Sequence, residues 1–256
     1  MPPQSEVGET VQAVETAFDI LGEIRSRDNV TLSELADELS LAKSTVHRHL
    51  RTLNDRHCIT HEDGEFELSF ELLALGEAAR RKRETYALAE EKVAELAAET
   101  GERAQFVVEE DGVGFCVFRA TGEHAVETEP QVGSRMPLHA TASGKSILAF
   151  LPDHRIQDLF EASLPEETTN TITDRESLLE ELDAVREQGY AANRGEHIEG
   201  LTAFGAPVRR SDGGVVGAIS ISGPERRFED TDVEREIRSR LLGTTNELEL
   251  NIAHSQ

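Results

Sequence analysis

The chain has 256 residues, of which 38% are hydrophobic and 30% charged, and its formal net charge is -24. That is enough for one large or two modest domains with an apolar core. No apolar run approaches the roughly 18 residues of a membrane-spanning helix. The opening MPPQSEVGET lacks the basic and apolar regions of a secretory signal, so a cytoplasmic protein is expected.

Two cysteines, Cys58 and Cys116, fall in different expected units and fit a reducing compartment. Neither belongs to a metal-ligand cluster, and no cofactor is implied. Only four lysines occur (Lys43, Lys82, Lys92 and Lys145), and arginine supplies the other cations. An acidic chain poor in lysine suits a salt-saturated cytoplasm, where the Debye length shrinks to ~3 Å or less. The composition therefore points to a halophile.

Residues 1–9 read as a disordered tail. Val11, Val14, Ala17, Phe18, Leu21 and Ile24 then recur at helical spacing, which predicts a scaffold helix behind the next segment. Residues 31–56, TLSELADELSLAKSTVHRHLRTLNDR, read as two helices joined by a tight turn. Leu32, Leu35, Ala36 and Leu39 mark the first, and Thr31 with Glu34 forms a capping-box pattern at its start. Val46, Leu50 and Leu53 mark the second. Its other face carries Lys43, Ser44, Thr45, His47, Arg48 and Arg51. Hydroxyls and cations on one exposed helix face suit entry into the DNA major groove, where arginines reach guanine edges and hydroxyls reach phosphate. The same pattern is also that of an ordinary helical hairpin with a solvated basic face. A strongly negative chain repels phosphate, but Lys43, Arg48, Arg51 and Arg56 concentrate positive charge locally.

Residues 58–69 follow, with Asp63-Gly64 between two strand-like runs, a hairpin signal. Three helices and a hairpin make a winged helix-turn-helix over residues 10–70, although Glu62 and Asp63 predict only light contact of the wing with DNA. Residues 71–84 are expected as a linker helix with a basic end at Arg80, Arg81, Lys82 and Arg83. Residues 85–256 form the second domain. A helix ends at Gly101, hairpins turn at Asp111-Gly112 and at residues 211–214, and a strand is expected over 124–129. Helices are expected from Ala142, near Ile156, over residues 177–188 and over 233–253. Antiparallel strands with helices around them define an α+β domain.

Two stretches of this domain stand out. In MPLHATASGKSILAFL, residues 136–151, small residues open a helix near Ser143, Gly144 and Lys145, and such a start offers backbone donors to an anion. Gly144-Lys145-Ser146 resembles the end of a phosphate-binding loop, but His139 stands where its first glycine is required and no strand leads in directly. In AISISGP, residues 218–224, alternation places Ser220 and Ser222 on one strand face with Ala218, opposite Ile219 and Ile221. His139, Ser143, Ser146, Ser220 and Asp212 supply residue types for a nucleophile and base. No nucleophile elbow or metal-binding helix accompanies them, so catalysis is not expected.

Together VQAVETAFDIL, LSLAKSTVHRHLRTL, VGSRMPLHATASGKSILA and GLTAFGAPVRRSDGGVVGAISISGP resemble the IclR family of transcriptional regulators over nearly the whole chain. The resemblance implies a C-terminal GAF-like effector-binding domain, a double-stranded DNA partner, and a homodimer or a tetramer built as a dimer of dimers. Combined with the composition, it suggests a halophilic archaeon as the source. It also implies a small-molecule effector, a carboxylate, sugar acid or aromatic catabolite, held by Met136, Ala142, Ser143, Leu201, Ala203, Ser220 and Ser222. Asn193 opens the run NRGE where family members often carry acids. Arg194, if it points inward, would favour a more anionic ligand. Alternative readings are a second domain that only oligomerises, or a small-molecule hydrolase fused to a DNA-binding domain.

If the charge is an adaptation to salt, folding depends on screening of carboxylate repulsion. Circular dichroism over a potassium chloride series should show the folded signal developing only as salt rises. Complete folding in dilute buffer would refute the adaptation.

Overall fold

Three helices with apolar stripes and a short hairpin build the first of two units, which divide between Lys82 and Arg83. The computed structural model describes residues 10–27, 29–125, 131–159 and 164–254. Helix α1 (Gln12–Ser26) buries Ile20 and Ile24, α2 (Leu32–Glu38) buries Leu35 and Ala36, and α3 (Lys43–Asp55) buries Val46, Leu50 and Leu53. Each large aliphatic side chain removed from water contributes about 1.5–3 kcal/mol. The capping box closes as the sequence predicts: the Glu34 amide donates to Thr31 Oγ1 at 3.3 Å and the Thr31 amide to Glu34 Oε2 at 2.8 Å. Thr31 Oγ1, donating to Glu34 Oε2 at 2.7 Å, and then the Thr31 amide hold the Glu34 carboxyl below its ordinary range. Ser40 makes the turn between α2 and α3 at φ 52°, a left-handed conformation usually left to glycine.

One expectation for α1 is corrected. Val11, Val14 and Phe18 do not pack behind the pair; they are 65, 52 and 68% exposed. The α1 sequence carries two apolar stripes, and only the one through Ile20 and Ile24 meets α2 and α3.

The hairpin pairs β2 (Ile59–Glu62) with β3 (Glu65–Leu68), and Asp63 and Gly64 both have positive φ, as a tight hairpin turn demands. A two-residue strand, β1 (Val30–Thr31), adds to the other edge of β3; it is too short to leave an alternation signal. Helix α4 (Glu71–Arg80) buries none of its residues. Of the segment expected as a linker helix, residues 71–84, α4 covers Glu71–Arg80, and its last residue begins α5 (Glu84–Thr100) in the second unit.

That unit is organised on a six-stranded antiparallel sheet in the order β6-β5-β4-β9-β8-β7. The strands are β4 (Arg103–Glu110), β5 (Val113–Thr121), β6 (Arg135–Met136), β7 (Ala191–Arg194), β8 (Leu201–Arg209) and β9 (Val215–Pro224). Alternation sends Phe106, Phe204, Ile219 and Ile221 to one face, where α5 and α10 (Thr231–His254) cover them with Val93, Leu96, Leu241 and Leu248. On the other face lie α6 (Ala142–Leu148) and, behind it, α8 (Arg175–Gln188), packed through Leu148, Leu178, Leu182 and Val185. Helix α7 (Asp153–Leu159) adds Ile156 to that cluster, and α9 (Glu225–Phe228) adds Phe228 to the first. The strand expected over 124–129 falls mostly outside the described residues, and His124 lies in a turn. The short β7 was not anticipated.

Two glycines set how closely α6 approaches the sheet. A Cβ on Gly205 would stand 2.5 Å from the carbonyl carbon and oxygen of Ala142, and one on Gly144 would stand 2.2 Å from the Leu138 carbonyl oxygen. The start of α6 therefore lies directly on β8, which places Ser143 over the sheet.

Candidate functional site

Helix α3 presents the basic face that its sequence predicts. Lys43, Ser44, His47, Arg48 and Arg51 are exposed and Thr45 is half-buried. Neither Arg48 nor Arg51 forms an ion pair among the described residues. Lys43 Nζ instead donates to Ser33 Oγ at 2.9 Å, tying α3 to α2. Ala42 caps α3 without a side-chain hydrogen bond, so the first backbone N–H groups face outward. The wing is acidic: Glu62 pairs directly with Glu65 across its turn.

In the second unit a cavity of about 390 Å³, its mouth included, opens between the sheet and the start of α6. Strand register builds its floor. One cross-strand row runs Arg103, Ser222, Ala203, Asn193, and the next runs Gln105, Ser220, Gly205. Thr141, Ala142 and Ser143 form one wall, and Met136, Leu201, His197 and Ile198 close the rest. All eight residues expected from the sequence to surround a ligand, namely Met136, Ala142, Ser143, Asn193, Leu201, Ala203, Ser220 and Ser222, line this one cavity.

The polar groups of the wall are in different states. Arg103 Nε donates to Ser222 Oγ at 3.0 Å, and burial depresses the pKa of this guanidinium. Cys116 Sγ lies 3.6 Å from Gln105 Oε1, and burial pushes its thiol up to about 11. Asn193 is spent on the scaffold: its Nδ2 donates to the Ala140 carbonyl at 2.5 Å and its Oδ1 accepts from the Glu196 amide at 2.9 Å. Ser143 Oγ and His197 Nδ1 are buried without a hydrogen-bond partner. Burial holds the His197 imidazole below its ordinary pKa, against the pull of Glu167.

Lys145, read from the sequence only for its backbone, anchors the surroundings of the cavity. Its buried ammonium lies 2.7 and 2.9 Å from the two Glu196 oxygens and 3.1 Å from Glu181 Oε1. Burial raises the Glu196 pKa, and the adjacent ammonium opposes that rise. Arg194 does not point inward. It pairs with Glu234 at 3.0 Å and lies over the Phe204 ring, on the α10 side of the sheet, because neighbouring residues of β7 face opposite ways. The residue types of a hydrolase do not converge either. His139 Nε2 sits 2.8 Å from the Pro165 carbonyl, and Asp212 caps the β8–β9 turn through the Gly214 amide.

Sequence reasoning missed Arg103, Gln105, Thr141, His197 and Ile198 in the lining. Arg103 and Gln105 had a signal, two polar residues alternating with Ala104 and Phe106 at the start of an apolar strand. His197 and Ile198 had none, since only the course of loop 195–200 brings them over the floor.

Comparison with known proteins agrees across both units. Residues 78–249 match "Bacterial transcriptional regulator IclR C-terminal" and residues 13–62 match "IclR helix-turn-helix domain". The "Probable HTH-type transcriptional regulator ArcR" of Halobacterium salinarum is 33% identical over 247 residues, 94% of either chain. The "HTH-type transcriptional regulator KdgR" of Escherichia coli is 30% identical over 226 residues, 87% of this chain and 86% of that one. The crystal structure of the Thermotoga maritima IclR aligns with a TM-score of 0.81 at 26% identity, spanning 94% of this chain and 98% of that one. The two sequence relatives are named as regulators and not as enzymes. A relative in Halobacterium agrees with the salt-adapted composition.

Proposed function

The chain belongs to the IclR family of transcriptional regulators, and from that premise we propose that α3 reads operator DNA while a small metabolite in the second unit's cavity modulates the binding. The observation that carries the proposal is the convergence on one cavity of the eight residues that the family resemblance implies, within a chain that also presents a basic helix face where Arg48 and Arg51 form no ion pair among the described residues. Arg48 and Arg51 are positioned for base edges or phosphates; Ser44 and the free N–H groups at the start of α3 suit phosphate. Lys43, held by Ser33, contributes charge near the turn. Thr45 and His47 complete the contact face.

Support for an effector comes from the wall itself. Serine hydroxyls, an amide and a guanidinium line the cavity together with the apolar side chains of Met136, Ile198, Leu201 and Ala203. Polar groups converging beside apolar side chains in one cleft are the usual form of a small-molecule site. A carboxylate, sugar acid or aromatic catabolite remains the proposed range, and the protein acts in the cytoplasm. Dimerisation has its own support. The first unit exposes Val11, Val14 and Phe18 on α1, together with Phe70 at 92% before α4 and Leu73 and Leu75 on it. Exposed large apolar side chains of this number mark association surfaces, and a second copy of this chain is the proposed occupant.

Three outcomes are expected. Arg48→Ala should weaken operator binding by about 1–3 kcal/mol if the guanidinium reads a base; unchanged gel-shift titration with intact circular dichroism would take Arg48 out of the interface. Ser220→Ala should fold and bind DNA like the parent yet lose roughly tenfold or more in effector response, and a parental response would place the effector elsewhere. Phe18→Glu combined with Leu73→Glu should shift the sedimentation coefficient from dimer or tetramer to monomer. A monomeric parent, or a double variant that still associates, would defeat the proposed surface.

A further inference from the structure

Loop 195–200 closes one side of the cavity with His197 and Ile198, and its two ends are fastened more firmly than its tip. At one end Glu196 is bound through its carboxylate to Lys145, through its amide to Asn193 Oδ1 and through its carbonyl to Thr168 and Thr171. At the other, the Gly200 carbonyl accepts from the Glu225 amide at 2.8 Å, and Gly200 stands at φ 73° with open space where a side chain would be. Between these anchors, among the described residues, one hydrogen bond reaches the tip, from the Leu201 amide to the Ile198 carbonyl at 3.2 Å. Segments with few bonds between well-held ends are those that open locally.

His197 is the titratable side chain that the tip places in the wall; Glu199 is exposed. His197 Nδ1 is buried without a hydrogen-bond partner, and Glu167 Oε2, from the connection between α7 and α8, lies 3.8 Å away, beyond hydrogen-bond range. His139, from the segment before α6, and Arg103, from β4, oppose a positive charge on the ring. Lys145 of α6 is already paired with Glu196 and Glu181. A neutral ring suits these surroundings. An imidazolium would be a buried charge beside a guanidinium and a second imidazole, with no carboxylate of the described residues in hydrogen-bond reach. We propose that residues 197–199 are a proton-operated flap: on protonation His197 leaves the wall for solvent, and the side of the cavity that it and Ile198 cover comes open. Burial lowers the pKa of the closed ring; Glu167 raises it again, and His139 and Arg103 lower it further. In the open form the ring is in water and returns to about 6.5. The open form therefore takes up the proton first. Above that pH both forms are neutral and opening is indifferent to pH; as pH falls below it, opening is favoured until the closed form titrates too. The flap goes beyond the effector reading, and its test needs no effector.

The chain contains no tryptophan, so Ile198→Trp in the full chain gives a single indole emission from the flap. In molar potassium chloride that emission should move reversibly to longer wavelength as pH falls from about 7.5 to about 5.5. Adding His197→Gln should hold it at its neutral-pH position throughout. Adding Glu167→Gln should enlarge the shift, because the carboxylate is what favours the proton in the closed form. A flat profile, a shift to shorter wavelength, or a shift that survives His197→Gln overturns the proposal; a merely structural His197 gives the flat profile. A second measurement needs no variant. Amide exchange of Leu201 in the parent, corrected for the intrinsic effect of pH, should lose about threefold or more of its protection over the same range. Over that range the ladder between β4 and β9 should keep its protection. Unchanged protection of Leu201, or a parallel loss in the ladder, overturns the flap even if the tryptophan variant fails to fold.

Discussion

The second unit depends on one close approach, the seating of α6 on β8 where Gly205 leaves room for the backbone of Ala142 and Ser143. The contact is steric and admits no side chain. It fixes the height of the cavity, because Thr141 to Ser143 form one wall while Gln105 and Ser220, in the same cross-strand row as Gly205, lie on its floor. Gly144 repeats the device on the other side, against Leu138. Protein interiors are packed closely enough that a single methyl group at such a point must displace backbone. The small residues of this stretch are required by the contact itself.

Around that contact the chain invests in buried polar chemistry. Lys145 joins α6 to loop 195–200 and to α8 through Glu196 and Glu181. Such an arrangement need not add net stability, since desolvating one ammonium and a carboxylate offsets much of their attraction. An uncompensated buried charge is costly, so displacing the loop would cost Lys145 its two bonds to Glu196 and leave only Glu181. The hydroxyls of Thr168 and Thr171 and the amide of Asn193 act on the same loop. His197 and Ile198 are thereby carried over the floor of the cavity, by Asn193 of the lining itself and by Lys145, Thr168 and Thr171 outside it.

The first unit solves a different problem, that of meeting a polyanion with a chain of net charge -24. On the exposed face of α3, Arg48 and Arg51 form no ion pairs among the described residues, whereas Arg27 in the same unit and Arg155, Arg209 and Arg240 in the other are paired with acids. In concentrated salt, screening within a few ångströms makes the distant acidic surface matter less than the local face. The wing is acidic, with Glu62 opposite Glu65, so the positive charge of this unit's helix-turn-helix lies on α3 and not on the hairpin.

The sequence by itself determined the elements whose signals are local. The apolar spacing of α3, the Thr31–Glu34 cap, the Asp-Gly turns and the alternation of Ser220 and Ser222 against Ile219 and Ile221 depend on neighbours a few residues apart, and the chain folds as they require. The convergence of the eight lining residues was legible only through the family resemblance, since no spacing links Met136 to Ser222. Tertiary structure alone decided which of two apolar stripes α1 buries, that Arg194 turns toward Glu234, that Asn193 is consumed by backbone groups, and that Arg103 and Gln105 share rows with the serines. Those outcomes depend on strand register and on packing between segments as much as 119 residues apart, as for Arg103 and Ser222. A side chain's direction in a short strand, or its choice of partner in a core, is set by what lies across from it, and that is not written in its own neighbourhood of the chain.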